Sequence, residues 1–217
     1  MVQIGLEPGL AGTRMKRNSR KINLTFLRMF LSDPVAVGAI TPSSNSLARE
    51  ITRNLSIDQG QAVLELGPGT GAFTSYLCPL LPEPGAYLGI EREPRFVRLL
   101  QEHFPDLKFV TGPAERLQGI GDRIGLPLGA IISSIPFVGV RNTVHDSIIE
   151  DITNLMGPGC VFRTFQYLHT YLLPSSVRFR KKMSEKLGCH QRSRLILRNL
   201  PPVYVLTWIR ENRLTGC

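Results

Sequence analysis

One stretch constrains this chain more than any other: Glu65-Leu66-Gly67-Pro68-Gly69-Thr70-Gly71. It follows a short apolar run, Ala62 to Leu66, which reads as a strand, and it precedes a helix predicted through Leu80. Glycine at alternate positions lets the backbone turn sharply and leaves no Cβ between its amides and a ligand. A strand, a glycine loop and a helix in that order open a βαβ unit, and the alternation continues downstream. Strands are predicted over Tyr87–Glu91, Leu107–Thr111, Ala130–Ser134 and Cys160–Gln166, with two late ones over Arg192–Leu197 and Val203–Ile209. Helices are predicted over Glu93–Phe104, Pro113–Ile120 and Asn142–Leu155, with a basic one over Ser175–Lys186. The expected fold is α/β: a mostly parallel, Rossmann-like seven-stranded sheet with helices on both faces. Ligands of such sheets sit at the carboxyl ends of the strands.

The 217 residues suit one domain, expected over residues 34–213. The cysteines Cys78, Cys160, Cys189 and Cys217 stand far apart, with no CxxC or His/Cys cluster. They read as reduced thiols of a cytoplasmic protein, Cys78 and Cys160 buried, and no metal is expected. Charge is segregated. Residues 1–32 hold six basic residues against one acidic, 33–162 nine against fourteen, and 163–217 eleven against two. Both ends therefore suit a polyanion, and the bland reading is a solvated basic face. Residues 1–12 read as disordered. Over residues 13–33 a basic amphipathic helix is predicted. Met15, Ile22, Phe26, Met29 and Phe30 share one face; Lys16, Arg17, Arg20, Lys21 and Arg28 lie elsewhere around the wheel, and Asp33-Pro34 stops it. It reads equally as a helix packed on the domain's own core and as one lying on a membrane surface. Arg28 interrupts the apolar stretch, which sets aside a signal peptide. Thr41-Pro42 reads as the N-cap and first residue of a helix to about Leu55.

Two carboxylates frame the glycine loop. Glu65 stands two positions before the first glycine, and Glu91 ends the next predicted strand, where a carboxylate accepts hydrogen bonds from ribose hydroxyls. Gly67-x-Gly69-x-x-Ala72 also satisfies a dinucleotide-binding fingerprint. The third glycine and the acidic Glu65 favour another pattern. Residues Val63 to Ser134 resemble the class I methyltransferases, whose E/D-x-G-x-G-x-G loop holds S-adenosylmethionine (SAM). That resemblance implies a cofactor site of Glu65, Gly67, Pro68, Gly69, Thr70, Gly71, Glu91, Arg92, Ala114, Glu115 and Ser134. Glu65 would serve the methionine amine, and Arg92, Ala114 and Glu115 the adenine edge.

Ser134-Ile135-Pro136-Phe137 follows the fourth strand, where amino-group methyltransferases carry an Asn/Asp-Pro-Pro-Tyr or Asn-Leu-Pro-Tyr motif. Here the motif keeps its proline and its ring but has Ser134 for Asn or Asp, which disfavours a flipped adenine as the acceptor. Val37-Gly-Ala-Ile-Thr-Pro-Ser-Ser44, Phe165-Gln166-Tyr167 and Asn199-Leu-Pro-Pro-Val203 resemble stretches of the bacterial phospholipid N-methyltransferases. With the basic amino terminus, the likeness covers about residues 20–210. This second resemblance adds Ser43 and Ser44 to the cofactor site, where Gly38 to Ser44 would close over the methionine end of SAM. It implies methyl transfer to the amine of phosphatidylethanolamine or of an ornithine lipid, by an enzyme on the inner face of the cell membrane with no nucleic-acid partner. In that reading Ser134, Phe137, His145 and Tyr167 are the catalytic candidates, with Tyr167, His145 and His169 as proton acceptors. Ile135, Pro136, Phe137, Tyr167 and Tyr171 would line the amine. Arg163, Arg180 or the wider Arg178–Lys182 run would hold the lipid phosphate. The alternatives are a ribosomal RNA adenine dimethyltransferase and a binding module on a degenerate methyltransferase fold. The first usually adds a helical carboxy-terminal domain; the second would not need the intact loop and Glu91.

Overall fold

The computed structural model describes residues 44–211 apart from 115, 116, 118, 136 and 138–141. The expectations for residues 1–12, the helix over 13–33, the cap at Thr41-Pro42, and Ser43, Glu115 and Pro136 lie outside the described residues. The described chain begins at Ser44, which caps helix α1 (Asn45–Thr52) by accepting a hydrogen bond from the Leu47 amide at 3.2 Å. The order then runs β1 (Ala62–Leu66), α2 (Thr74–Leu77), β2 (Tyr87–Glu91), α3 (Pro94–His103), β3 (Lys108–Thr111), α4 (Ile120–Ile124) and β4 (Leu128–Ser133). It finishes with α5 (Asn142–Leu155), β5 (Val161–Tyr167), α6 (Pro174–Leu187), β6 (Gln191–Arg192) and β7 (Val203–Ile209).

Seven strands form one sheet in the order β3-β2-β1-β4-β5-β7-β6. Strands β1 to β5 pair in parallel, and β7 inserts antiparallel between β5 and β6. The central strands β1, β2 and β4 are buried along their whole length, so they read as largely apolar runs, broken by Glu65 and ended by Glu91, rather than as alternating ones. Each sheet face carries its own core. Leu64, Leu66, Ile131 and Phe162 pack with Ile148 and Ile152 of α5 and Phe179 and Met183 of α6. On the opposite face Val63, Tyr87, Ile132 and Phe165 pack with Leu47 and Ile51 of α1, Phe73, and Val97 and Leu100 of α3. Among the described residues no helix is long and apolar enough to cross a membrane.

Three local expectations are corrected. The described residues of the helix expected over Pro113–Ile120 are not helical before Ile120; a helix runs over Ile120–Ile124, bracketed by Gly119 and Gly125 at φ +73° and +69°, a left-handed conformation that stops a helix from extending. The strand expected over Arg192–Leu197 pairs as a ladder only at Gln191–Arg192. Beyond it the Ser193 hydroxyl, not a backbone carbonyl, accepts the Val205 amide at 2.9 Å, and only an isolated bridge at Ile196 and Val203 follows. Cys160 is buried as expected, but Cys78 is half-buried.

Candidate functional site

The glycine loop is pinned twice to the end of β2. Gly67 donates to Ile90 O at 2.8 Å, and Gly69 donates to the Glu91 carboxylate at 2.9 Å. The second Glu91 oxygen accepts from the Glu93 amide at 3.0 Å. Glu91, buried at the end of β2, thus splints the loop and retains further lone pairs on both oxygens. Gly69 and Gly71 both sit at positive φ, and a Cβ on Gly71 would lie 2.7 Å from the Phe104 ring. Pro68 is buried and Thr70 half-buried.

Glu65 lies beneath this loop, fully buried. One of its oxygens accepts from Tyr87 OH at 2.6 Å and Thr74 Oγ1 at 2.8 Å. The other has no hydrogen-bond partner. Burial drives the Glu65 carboxyl up from 4.5 to about 7; the two hydroxyl donors oppose the shift and the nearby Glu91 carboxylate adds to it. Burial and the Glu65 carboxylate in turn hold the Tyr87 phenol well above its ordinary value. An orphaned acceptor on a buried carboxyl is costly unless a donor, best a cationic one, reaches it. Tyr87 and Thr74 were not singled out from sequence; each reads there as an ordinary residue of a strand or a helix.

The end of β4 abuts the loop. Ser134 donates its amide to Leu66 O at 2.9 Å, and Ile135 donates to Ser133 Oγ at 3.3 Å. A Cβ on Gly67 would stand 3.5 Å from the Ile135 side chain and 3.9 Å from Ser134 Cβ. Gly112 donates to Glu91 O, which brings the half-buried Ala114 segment to the end of β2, where Arg92 is exposed. Phe137 and His145 depart from their expected roles. Phe137 is 2% exposed and stacked on Phe179, ring centroids 4.0 Å apart, with the His145 ring edge-on at 5.5 Å. His145 is 1% exposed and burial lowers its pKa, so it sits neutral in the core under α5 and α6. Neither ring is open to an incoming amine.

The remaining expected residues lie along β5, in the turn after it and on α6, several already engaged by the protein. Arg163 donates to Ile51 O at 2.9 Å and Arg53 O at 2.7 Å, so it caps the carboxyl end of α1 instead of offering a phosphate fork. Arg180 donates to Gln166 Oε1 and Tyr171 O, and its guanidinium lies 3.9 Å from the Tyr171 ring centroid. That ring face therefore already carries a cation. Arg178 and Lys182 both pair with Asp146. Tyr167 is half-buried, edge-on to Phe165 at 5.5 Å and stacked on the exposed His169 at 5.6 Å. Burial raises its phenol, so Tyr167 stays protonated at neutral pH and orients a group more readily than it takes up a proton.

Three stretches distant in sequence meet beside it. Ser44 donates its amide to Asn199 Oδ1 at 3.1 Å, across 155 positions. Asn199, 3% exposed, donates in turn to Pro201 O at 2.8 Å. Phe165, Gln166 and Tyr167 pair in register with Val205, Tyr204 and Val203. Asn199 belonged to a quoted stretch but not to the expected site; only the folded contact with Ser44 gives it a place there.

No protein-family model matches the sequence. The chain is similar to an ornithine lipid N-methyltransferase of Singulisphaera acidiphila, 26% identical over 141 residues, covering 63% of this chain and 73% of that protein. It is also similar to the ribosomal RNA small subunit methyltransferase A of Chlorobaculum parvum, 30% identical over 97 residues, but spans only 32% of that protein's length. Among solved structures, a TehB-like SAM-dependent methyltransferase from Corynebacterium glutamicum superposes with a TM-score of 0.56 at 12% identity, covering 89% of this chain and all of the other. A 16S rRNA methyltransferase from T. thermophilus, in complex with AdoMet and guanosine, gives 0.56 at 21% identity over 82% of this chain and 45% of its own. These structural likenesses are likenesses of fold. The residues described fit SAM: the partnerless Glu65 oxygen suits its methionine ammonium, and Glu91, held at the loop by the Gly69 amide with lone pairs to spare, suits its ribose.

Proposed function

We propose that this class I SAM-dependent methyltransferase transfers methyl groups to the head-group amine of a membrane lipid, phosphatidylethanolamine or an ornithine lipid. The observation that carries this reading is the meeting of Ser44, Tyr167 and Asn199 at one edge of the sheet, because they come from the three stretches that resemble phospholipid N-methyltransferases. The similarity to an ornithine lipid N-methyltransferase along most of its length supports the same acceptor. The basic flanks, including Lys16, Arg17, Arg20, Lys21 and Arg28, suit an enzyme that works on an anionic membrane surface.

Bound SAM supplies an electrophilic methyl group on a sulfonium. The chain's residues do the rest. Glu65 holds the methionine ammonium, Glu91 the ribose, and Ser134 and Ile135 form the wall between the glycine loop and the acceptor. A lipid amine is protonated in water near neutral pH and must lose its proton to become a nucleophile. The apolar sides of Ile135 and Tyr167 disfavour the charged form, so the proton passes to water as the amine enters; the Tyr167 phenol oxygen then accepts an N–H hydrogen bond from the neutral amine and leaves its lone pair free to attack the methyl group.

The local likeness to a ribosomal RNA methyltransferase favours a second reading, an RNA adenine as acceptor. One assay separates them: labelled SAM with phosphatidylethanolamine or ornithine-lipid vesicles in one reaction and ribosomal RNA in another, followed by chromatography of each product. Label in lipid is expected. Label in RNA and none in lipid overturns the proposal.

A further inference from the structure

We propose that the rim built by the β5–α6 and β6–β7 connections is a docking surface that settles on an anionic lipid bilayer. It is built from residues other than those of the amino-terminal segment that the sequence pointed to. Six apolar side chains stand out on this rim among the described residues. Leu172 is 82% exposed, Leu200 80% and Leu197 72%; Leu168, Leu173 and Val177 are between 41% and 44% exposed. Single exposed leucines are ordinary on a protein surface, but a contiguous group is not.

The two connections lie side by side. Leu168 donates its amide to Pro202 O at 2.8 Å, Tyr167 pairs with Val203, and the Tyr171 and Tyr204 rings lie 5.1 Å apart. Val177 donates to Leu173 O, which continues the patch onto the first turn of α6. The rim sits where β5 ends and β7 begins. Since β5 runs parallel to β4 and β1, that is the edge carrying Ser134 and the glycine loop.

Charge decides what covers this rim. Residues 168–202 contain eight basic residues and one acidic residue, Glu185. Arg194 and Arg198 are exposed within the β6–β7 connection itself, with no ion pair among the described residues. The chain's own basic amino-terminal segment would bring like charge against them, and so would a second copy packed about a two-fold axis. An anionic bilayer accepts both features at once: leucines enter the acyl boundary while arginines stay among the head-group phosphates. The inference rests on the lipid-amine reading for its purpose, which is to bring the head-group layer to the edge that holds Ser134 and Tyr167.

The test uses the full chain and vesicles of phosphatidylglycerol and phosphatidylcholine, which contain no primary amine acceptor. The Leu172→Ser/Leu197→Ser/Leu200→Ser variant should sediment with them at least about tenfold more weakly than the parent chain. Its melting temperature and SAM binding should stay unchanged, because these side chains are exposed. Leu172→Ser alone and Leu197→Ser/Leu200→Ser alone, on separate connections, should each lose part of the binding. Arg194→Glu/Arg198→Glu should weaken binding at low salt, the difference closing as salt rises. Vesicle binding unchanged in the triple variant overturns the proposal. A lowered melting temperature with unchanged vesicle binding assigns the patch to the chain's own amino-terminal segment, and a changed oligomeric mass with unchanged vesicle binding assigns it to a second copy; either overturns it as well. Because the vesicles carry no acceptor, loss of binding stands whatever the methyl acceptor is. A chain that docks through this rim yet methylates no lipid sinks the acceptor reading alone.

Discussion

Burial of Glu65 sets a pH dependence that is easy to isolate. Its carboxyl is raised from 4.5 to about 7 in the folded chain, first by burial. Between those values the folded state holds a proton that the unfolded chain has released, so its contribution to stability is fully present below pH 4.5 and lost as pH rises to about 7. The slope is about −1.4 kcal/mol per pH unit, and the loss over the window about 3 kcal/mol. His145 and His190, whose pKa values are lowered first by burial, contribute in the opposite direction as pH rises toward their ordinary value, so the raw curve mixes these with Glu65. Subtracting Glu65→Gln isolates the carboxyl. Urea unfolding of both chains at pH 5, 6, 7 and 8 should give a stability difference, parent minus variant, that falls by about 3 kcal/mol from pH 5 to 8. Whatever constant offset the buried amide introduces cancels in that slope. With saturating SAM, whose ammonium favours the ionised carboxyl, the fall should shrink. A difference that is flat or rises with pH would falsify the placement of a buried, proton-holding Glu65 under the loop.

The other expectations are simpler. Glu91→Ala should weaken SAM binding by about 1.5–3 kcal/mol in calorimetry, since a charged acceptor of hydroxyl and amide donors is lost; unchanged affinity would remove Glu91 from the site. Arg163→Met should cost about 2 kcal/mol in urea unfolding by stripping two carbonyls of their charged donor. If Arg163 held a lipid phosphate instead, that variant would keep its stability and lose vesicle binding. Reversing Arg17, Arg20 and Lys21 to Glu should weaken sedimentation with anionic vesicles at low salt while SAM binding persists; unchanged sedimentation would make that segment structural.

The frame of the fold was legible because it depends on pattern. Ala62–Leu66, Tyr87–Glu91, Asn142–Leu155 and Val203–Ile209 run in the structure as the sequence implied, each a continuous apolar or periodic segment bounded by turn residues. The placement of the glycine loop after β1 and of Glu91 at the end of β2 was legible for a related reason: it depends on spacing along the chain and on the absence of side chains. What stayed hidden depends on partners far away in sequence. Arg163 has the same side chain whether it meets phosphate or the Ile51 and Arg53 carbonyls more than a hundred positions earlier. Phe137 is itself a motif position and His145 follows it, but packing on Phe179, far along the chain, decides that both enter the core. Glu65 was identified, while its tie to Tyr87 follows from the register of two neighbouring strands.

The central claim, methyl transfer to a lipid amine, is tested most directly by tandem mass spectrometry of lipids recovered after reaction with SAM carrying a deuterated methyl group. Vesicles of phosphatidylethanolamine or ornithine lipid and ribosomal RNA should be present together in one reaction. The expected result is deuterated methyl on the head-group nitrogen, with acyl chains and RNA unlabelled. Deuterium in the RNA and none in any lipid head group would contradict the claim.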